Sequence, residues 1–253
     1  MKVLFIGDIV GRSGRRALAE ILPQLRKEYP WDLCIANAEN AAGGKGITQS
    51  VAEDLLAMGI DIMTMGNHTW DNKEIYKFID TADYLIRPAN YPVDVPGRGY
   101  TVVESANSKV GVVNLSGQVF MGSMQCPFAT ADEILNRLED CDYIVLDFHA
   151  EATAEKVAMG YYLDGRATAV LGTHTHIQTA DQRVLPQGTL YITDVGATAP
   201  INSVLGMEIK PVLANLTTKL PQRFTAASGP GMVSAVFMDF VEKSIHRLSI
   251  SQE

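Results

Sequence analysis

Short apolar runs rich in Val, Ile and Leu recur along the chain, each closed by Gly, Asn, Asp or Pro. VLFIGD, LCIANAEN, IMTMGNH, DYLIRPAN, VGVVNLSG, DYIVLDFHA, AVLGTHTH, TLYITDVG and SAVFMDF are mostly too short for buried helices and read as strands. Helical spacing fills the gaps between the early ones. SGRRALAEILPQLRKEY takes Ser13 as its N-cap and is expected to kink or shorten at Pro23; TQSVAEDLLAM starts at Thr48 and stops before Gly59; NKEIYKFI follows Asp71. This alternation predicts βαβ units in the first half. YTVVES running to VGVVNL, and GMVSAVFMDF running to KSIHRLSIS, follow one another without helices and predict hairpins. The expected architecture is a layered α/β protein with a mixed sheet or two packed sheets, in one domain spanning 1–253. The longest candidate loop, Ser116 to Asp132, has the length of a lid or binding loop.

Composition narrows the class. With 47% hydrophobic and 20% charged residues the chain suits a globular fold, and no apolar run approaches the ~20 residues of a membrane helix. The opening MKVLFIGDIVGRSGRR is interrupted by Gly7 and Asp8 and lacks a cleavage pattern, so no signal peptide is expected. Three cysteines, Cys34, Cys126 and Cys141, without metal-motif spacing fit unpaired thiols in a reducing cytoplasm. A net charge of −8 argues against duplex nucleic acid as a partner. A small anionic substrate is still compatible, because bound divalent cations would make one site locally electropositive.

The polar residues at strand ends carry the chemistry. Asp8 closes the first strand, Glu39 and Asn40 the second, Asn67 and His68 the third; His149 closes a later one, and His174 with His176 the next. In open α/β sheets the C-terminal strand ends line one edge, where ligands bind. Each residue alone has an ordinary reading: Asp8 as a turn former, Glu39 and Asn40 as strand terminators, Asn67 in a left-handed turn, His149 as a hydrogen-bonded structural histidine. Together they form a constellation, since four of the five histidines share it and only His246 stands apart. If the strand continues past Gly172, His174 and His176 fall on one side of it and converge on one object. Imidazole, carboxylate and amide ligands without thiolate suit Mn, Fe or Zn. Seven candidates exceed one tetrahedral ion and suit two ions ~3.5–4 Å apart.

In order, Gly7–Asp8, the GNH of Gly66–His68, the isolated His149 and the GTHTH of Gly172–His176 resemble the calcineurin-like metallophosphoesterases. MKVLFIGDIVGRSGRR, ANAENAAGGKGIT, MGNHTWDN and VLGTHTHIQTAD more closely resemble the YmdB-type bacterial phosphodiesterases, over nearly the whole chain. The resemblance implies a four-layer α-β-β-α sandwich of two mixed sheets flanked by helices. It also implies two divalent metal ions, iron or manganese with zinc as the alternative, and hydrolysis of 2′,3′- and 3′,5′-cyclic nucleotides by a metal-activated hydroxide. Carried over motif by motif, Asp8, Glu39, Asn40 and His176 would bind one metal and Glu39, Asn67, His149 and His174 the other, Glu39 bridging. His68, beside Asn67, would be the general acid. A cytoplasmic homo-oligomer acting on a small-molecule substrate, with no membrane partner, is expected.

Departures from the wider superfamily favour the YmdB-type branch. Val10 stands where Asp-x-His would place an imidazole, Glu39 replaces the usual bridging Asp, and Asn40 could supply the missing ligand. GRSGRR reads as a tight turn into a helix, GGKG either as a turn or as an element beside the site, and Asp71 as a helix cap in preference to a partner of His68. A nucleotide phosphomonoesterase with the same metals and a non-catalytic metal-binding scaffold are the rival readings.

Overall fold

The computed structural model describes residues 1–252. Two mixed sheets face each other. The first is eight-stranded, in the order β2-β12-β13-β1-β3-β4-β5 with β14 beside β13. Its members are β1 (Lys2–Ile6), β2 (Asp8–Ile9), β3 (Leu33–Asn37), β4 (Ile62–Thr64), β5 (Leu85–Ile86), β12 (Ala197–Pro200), β13 (Gly231–Asp239) and β14 (Ser244–Ser251). The second is six-stranded, in the order β10-β11-β9-β8-β7-β6. It comprises β6 (Tyr100–Ser105), β7 (Ser108–Ser116), β8 (Tyr143–His149), β9 (Ala169–Thr173), β10 (Arg183–Val184) and β11 (Leu190–Ile192).

Alternation along the strands explains the layering. From β1, Val3 and Phe5 face the second sheet and pack with Ile35, Val110, Val112, Val145, Ala169 and Leu171 into a core between the sheets. Their neighbours Leu4 and Ile6 face the other way, against Leu18, Leu22 and Leu25 of α1 (Gly11–Glu28) and Leu55 of α2 (Gln49–Ala57). On the far side of the second sheet, Leu146 and Phe148 pack with Ile134 of α3 (Pro127–Arg137) and Met159 of α4 (Thr153–Tyr162). Helices, sheet, sheet and helices make the expected four layers. The fifth helix, α5 (Ile209–Thr218), buries only Val212. No helix among the described residues is long and apolar enough to cross a membrane.

β1, β3, β4 and β5 run parallel, as do β7, β8, β9 and β11, so their C-terminal ends share an edge. The two predicted hairpins are present as the antiparallel pairs β6–β7 and β13–β14.

The helix ends differ from the local sequence pattern. Ser13 does not cap α1: β2 runs through Val10 directly into the helix, and Ser13 Oγ instead donates to the Ala227 carbonyl at 3.1 Å. Pro23 neither shortens nor ends α1, because it lies on the exposed side, where the carbonyl that its missing N–H leaves free meets water, while Leu22 and Leu25 stay packed. Thr48 caps α2 as expected, accepting from Val51 N at 3.3 Å. NKEIYKFI forms a 3₁₀ turn, Lys73–Lys77, capped by Asn72. The proposed Ser116–Asp132 loop is shorter, because Pro127 opens α3.

Candidate metal centre

The shared edge brings all seven candidate ligands together. Asp8 lies just beyond β1, Glu39 and Asn40 two and three residues past β3, Asn67 past β4; His149 ends β8, and His174 follows β9. Around His149 Nε2 stand Asn67 Oδ1 at 3.0 Å, Glu39 Oε1 at 3.1 Å and His174 Nδ1 at 3.1 Å. A second group adjoins the first: Asn40 Nδ2 is 3.1 Å from Glu39 Oε1 and 3.3 Å from His176 Nε2, which lies 3.9 Å from Asp8 Oδ1.

Hydrogen bonds outside the cluster decide which ring nitrogens face inward. His176 donates Nδ1–H to the Leu205 carbonyl at 3.0 Å, leaving Nε2 inside. His174 directs Nε2–H toward Glu151 Oε2 at 3.1 Å, leaving Nδ1 inside. For His149, Nδ1 meets Thr173 Oγ1 at 2.9 Å, and that hydroxyl donates to Asp147 Oδ1 at 2.6 Å, leaving Nε2 inside.

The result is a crowd of acceptors. His149 Nε2 faces three other lone-pair atoms with at most one proton to share among them, and the wholly buried Asp8 Oδ1 has no hydrogen-bond partner. Buried acceptors of this kind are costly unless a donor or a cation satisfies them. Glu39, His149 and His174 each offer an atom within 4.8 Å of the others, a spacing a metal ion spans. The donor set therefore fits divalent cations.

The buried groups also shift one another's proton affinity. Burial works against the charge on Glu39, but His149 and His68 outweigh it and hold the carboxyl down at about 2. Burial likewise disfavours charge on His149, but Glu39 foremost lifts it to about 9. Burial, then the adjacent His149, lowers His174 to about 3, which keeps its lone pair free at neutral pH. Burial raises the Asp8 carboxyl against the pull of His176 and His149.

Beside the cluster, His68 donates its backbone N–H to Glu39 Oε2 at 2.9 Å, and its ring Nδ1 lies 2.8 Å from Asp71 Oδ2. Asp71 is thus a partner of His68, and the capping role expected of it belongs to Asn72, whose Oδ1 accepts from Glu74 N.

Two other expectations change. The strand ends at Thr173, and His174 and His176 both have left-handed backbones, φ 98° and 66°. They meet their partners from a turn and not by strand alternation. Asn40 directs its amide nitrogen inward, so an oxygen ligand requires the amide turned over.

Glu151 and Asp147 lie outside the set of residues expected from the sequence. Asp147 is the one charged residue inside an apolar strand and sits two positions before His149, on its side of β8, a pattern that could have marked it.

Two sheets between helices with this acceptor cluster on their common edge match the metallophosphoesterase fold, and the relatives that share it make the chain a hydrolytic phosphoesterase. The YmdB-like protein family matches residues 4–252, and the chain belongs to it. It is 47% identical to the 2′,3′-cyclic-nucleotide 2′-phosphodiesterase of Bacillus subtilis (strain 168), over 100% of this chain and 96% of that protein. Among solved structures, a hypothetical protein from Thermus thermophilus superposes with a TM-score of 0.95 at 42% identity, each chain covered completely. A phosphatase from Mycoplasma pneumoniae superposes with a TM-score of 0.93 at 33% identity, over 100% of this chain and 94% of that one.

Proposed function

We propose that the chain hydrolyses cyclic nucleotides, 2′,3′ and 3′,5′, at a centre of two divalent cations, iron or manganese with zinc as the alternative. Asp8, Glu39, Asn40 and His176 would hold one cation, and Glu39, Asn67, His149 and His174 the other, with Glu39 shared. The observation that carries the reading is the set of acceptors around His149 Nε2 beside the unpartnered Asp8 Oδ1. When bound, such a pair of cations neutralises the phosphodiester oxygens and brings the pKa of water from ~15.7 toward ~7.

The chain's own residues supply orientation and a proton. Glu151, Thr173 and the Leu205 carbonyl fix the three imidazoles by their outer nitrogens. As water oxygen joins phosphorus and the bond to the ribose oxygen breaks, that oxygen needs a proton. His68 is the donor in this reading: Asp71 engages Nδ1, which leaves Nε2 as the atom that gives the proton up.

Metal analysis of the purified protein, with an assay panel of 2′,3′-cyclic AMP, 3′,5′-cyclic AMP, 5′-AMP and a nitrophenyl diester, tests the proposal. Cyclic nucleotide turnover with two ions per chain is expected. Turnover of 5′-AMP alone would establish a phosphomonoesterase, the second reading, which the Mycoplasma pneumoniae relative described as a phosphatase favours. Two ions without turnover would establish a scaffold.

A cytoplasmic homo-oligomer belongs to the same proposal. Free Cys34, Cys126 and Cys141 support the compartment. The assembly is supported by α5, where Ile209, Leu213 and Leu216 are exposed at helical spacing on one face. Light scattering on the purified protein reads its mass.

A further inference from the structure

Asp194 follows β11 and supplies no ligand, yet its carboxylate reaches the centre through a single residue. Asp194 Oδ2 accepts the Thr175 backbone N–H at 3.1 Å, the Thr175 hydroxyl at 2.6 Å and the Lys156 ammonium at 2.6 Å; Oδ1 accepts Gly196 N–H at 2.7 Å. Thr175 is the residue between His174 and His176. Asp194 is fully buried and Lys156, from α4, is 2% exposed. A side chain on Gly172 would run into the Thr193 carbonyl and come within 3.0 Å of Lys156 Cδ, so the glycine leaves room for the lysine stem.

Local backbone preference does not explain the turn that Thr175 occupies. His174 and His176 both adopt a left-handed conformation that residues with a Cβ avoid. An anchor from outside the turn must hold it, and the two bonds from Thr175 to Asp194 are such an anchor. Packing alone is weak ground for a buried ion pair, because desolvating both charges offsets much of their attraction. Its geometry suggests a different use.

We infer that Asp194 is a positioning residue for the metal centre. It pins Thr175 so that His174 presents Nδ1 to one cation position and His176 presents Nε2 to the other. Lys156 supplies the charge that lets a carboxylate serve as anchor in a dry site. The inference rests on the two-cation reading proposed above. All four groups around the Asp194 carboxylate are donors, so asparagine cannot replace it: whichever way its amide turns, an NH₂ meets a donor.

The test measures cation affinity in addition to activity. Chelator-stripped wild type, Thr175→Val, Thr175→Ser and Asp194→Asn are titrated with Mn²⁺ against a chelating dye, each checked by circular dichroism to be folded at the working temperature. Thr175→Val keeps the side-chain shape and removes one bond to Asp194; it is expected to bind Mn²⁺ about 10–100-fold more weakly, the usual effect of losing an outer partner of a metal ligand. Asp194→Asn is expected to lose at least as much, and Thr175→Ser to regain wild-type affinity. Wild-type affinity in folded Thr175→Val would overturn the inference even if Asp194→Asn fails to fold, and so would a Thr175→Ser variant as weak as Thr175→Val. Wild type that binds no Mn²⁺ would overturn the two-cation reading instead.

Discussion

Glu39 Oε1 lies 3.1 Å from His149 Nε2 while Glu39 Oε2 accepts the His68 backbone N–H, so one carboxylate joins the edge of the first sheet to the end of β8 in the second. Asp8 approaches both groups as well, with Oδ1 3.9 Å from His176 Nε2 and 3.9 Å from His149 Nδ1, but Glu39 Oε1 is closer to each, 3.1 Å from Asn40 Nδ2 and 3.1 Å from His149 Nε2. Glu39→Ala is therefore expected to lower metal content below two ions per chain, read by elemental analysis. In wild type, added cation is expected to raise the unfolding temperature: at 100 times its Kd a ligand of the native state stabilises by about 2.7 kcal/mol. Two ions retained in Glu39→Ala would remove the residue from its shared position.

His68 touches the centre through its backbone and reaches Asp71 with its ring, so its side chain can be removed without deleting a ligand. His68→Ala is expected to keep its metals and to lose about 10²–10⁴-fold in kcat on cyclic nucleotides. A nitrophenolate leaving group needs little protonation, and its turnover is expected to fall far less. Equal losses on both substrates, or loss of metal, would take the acid role from His68.

Gly66 packs where no side chain fits. A Cβ there would strike the His149 ring and Glu39 Oε2 together. Gly66→Ala is expected to push these two groups apart, costing about 1–3 kcal/mol of stability by overpacking and weakening metal binding at the same time. Urea unfolding and metal titration read the two effects. A variant with wild-type values in both would mean that the Glu39–His149 contact is more yielding than its burial indicates.

What the sequence revealed follows from the range of the interactions involved. Apolar runs closed by turn formers marked β1, β3, β8 and β9, because each strand is buried on both faces and its limits are set locally. Asp8, Glu39, Asn67 and His149 were legible because parallel strands bring their C-terminal ends to one edge. The turn at His174–His176 was not, since its left-handed backbone is held by contacts distant in the chain. β12 was hidden for a similar reason: ATAP contains a proline and becomes a strand only by pairing with β13 and β2. In α5, Ile209, Leu213 and Leu216 have helical spacing, but pattern alone could not say that this apolar face turns outward.

Asp147 links the sheets beneath the site. Its Oδ2 accepts from Thr64 Oγ1 at 2.5 Å and from Asn37 Nδ2 at 3.0 Å, both in the first sheet, while Oδ1 accepts from Thr173 Oγ1, the hydroxyl that meets His149 Nδ1. Burial pushes its carboxyl up to about 6 against the pull of His149 and the two threonines. Asp147→Asn preserves the shape but places an amide donor among donors. If the new oxygen stays with Thr173, the new NH₂ faces Asn37 Nδ2; if it turns over, the NH₂ faces Thr173. An unsatisfied buried donor costs about 1–3 kcal/mol, so the variant is expected to lose that much unfolding free energy, read as a lower urea midpoint. The amide turned toward Thr173 would also disturb the partner of His149 Nδ1, and metal affinity is expected to drop along with stability. Unchanged affinity in a destabilised variant would show that Asp147 holds the sheets together without orienting His149.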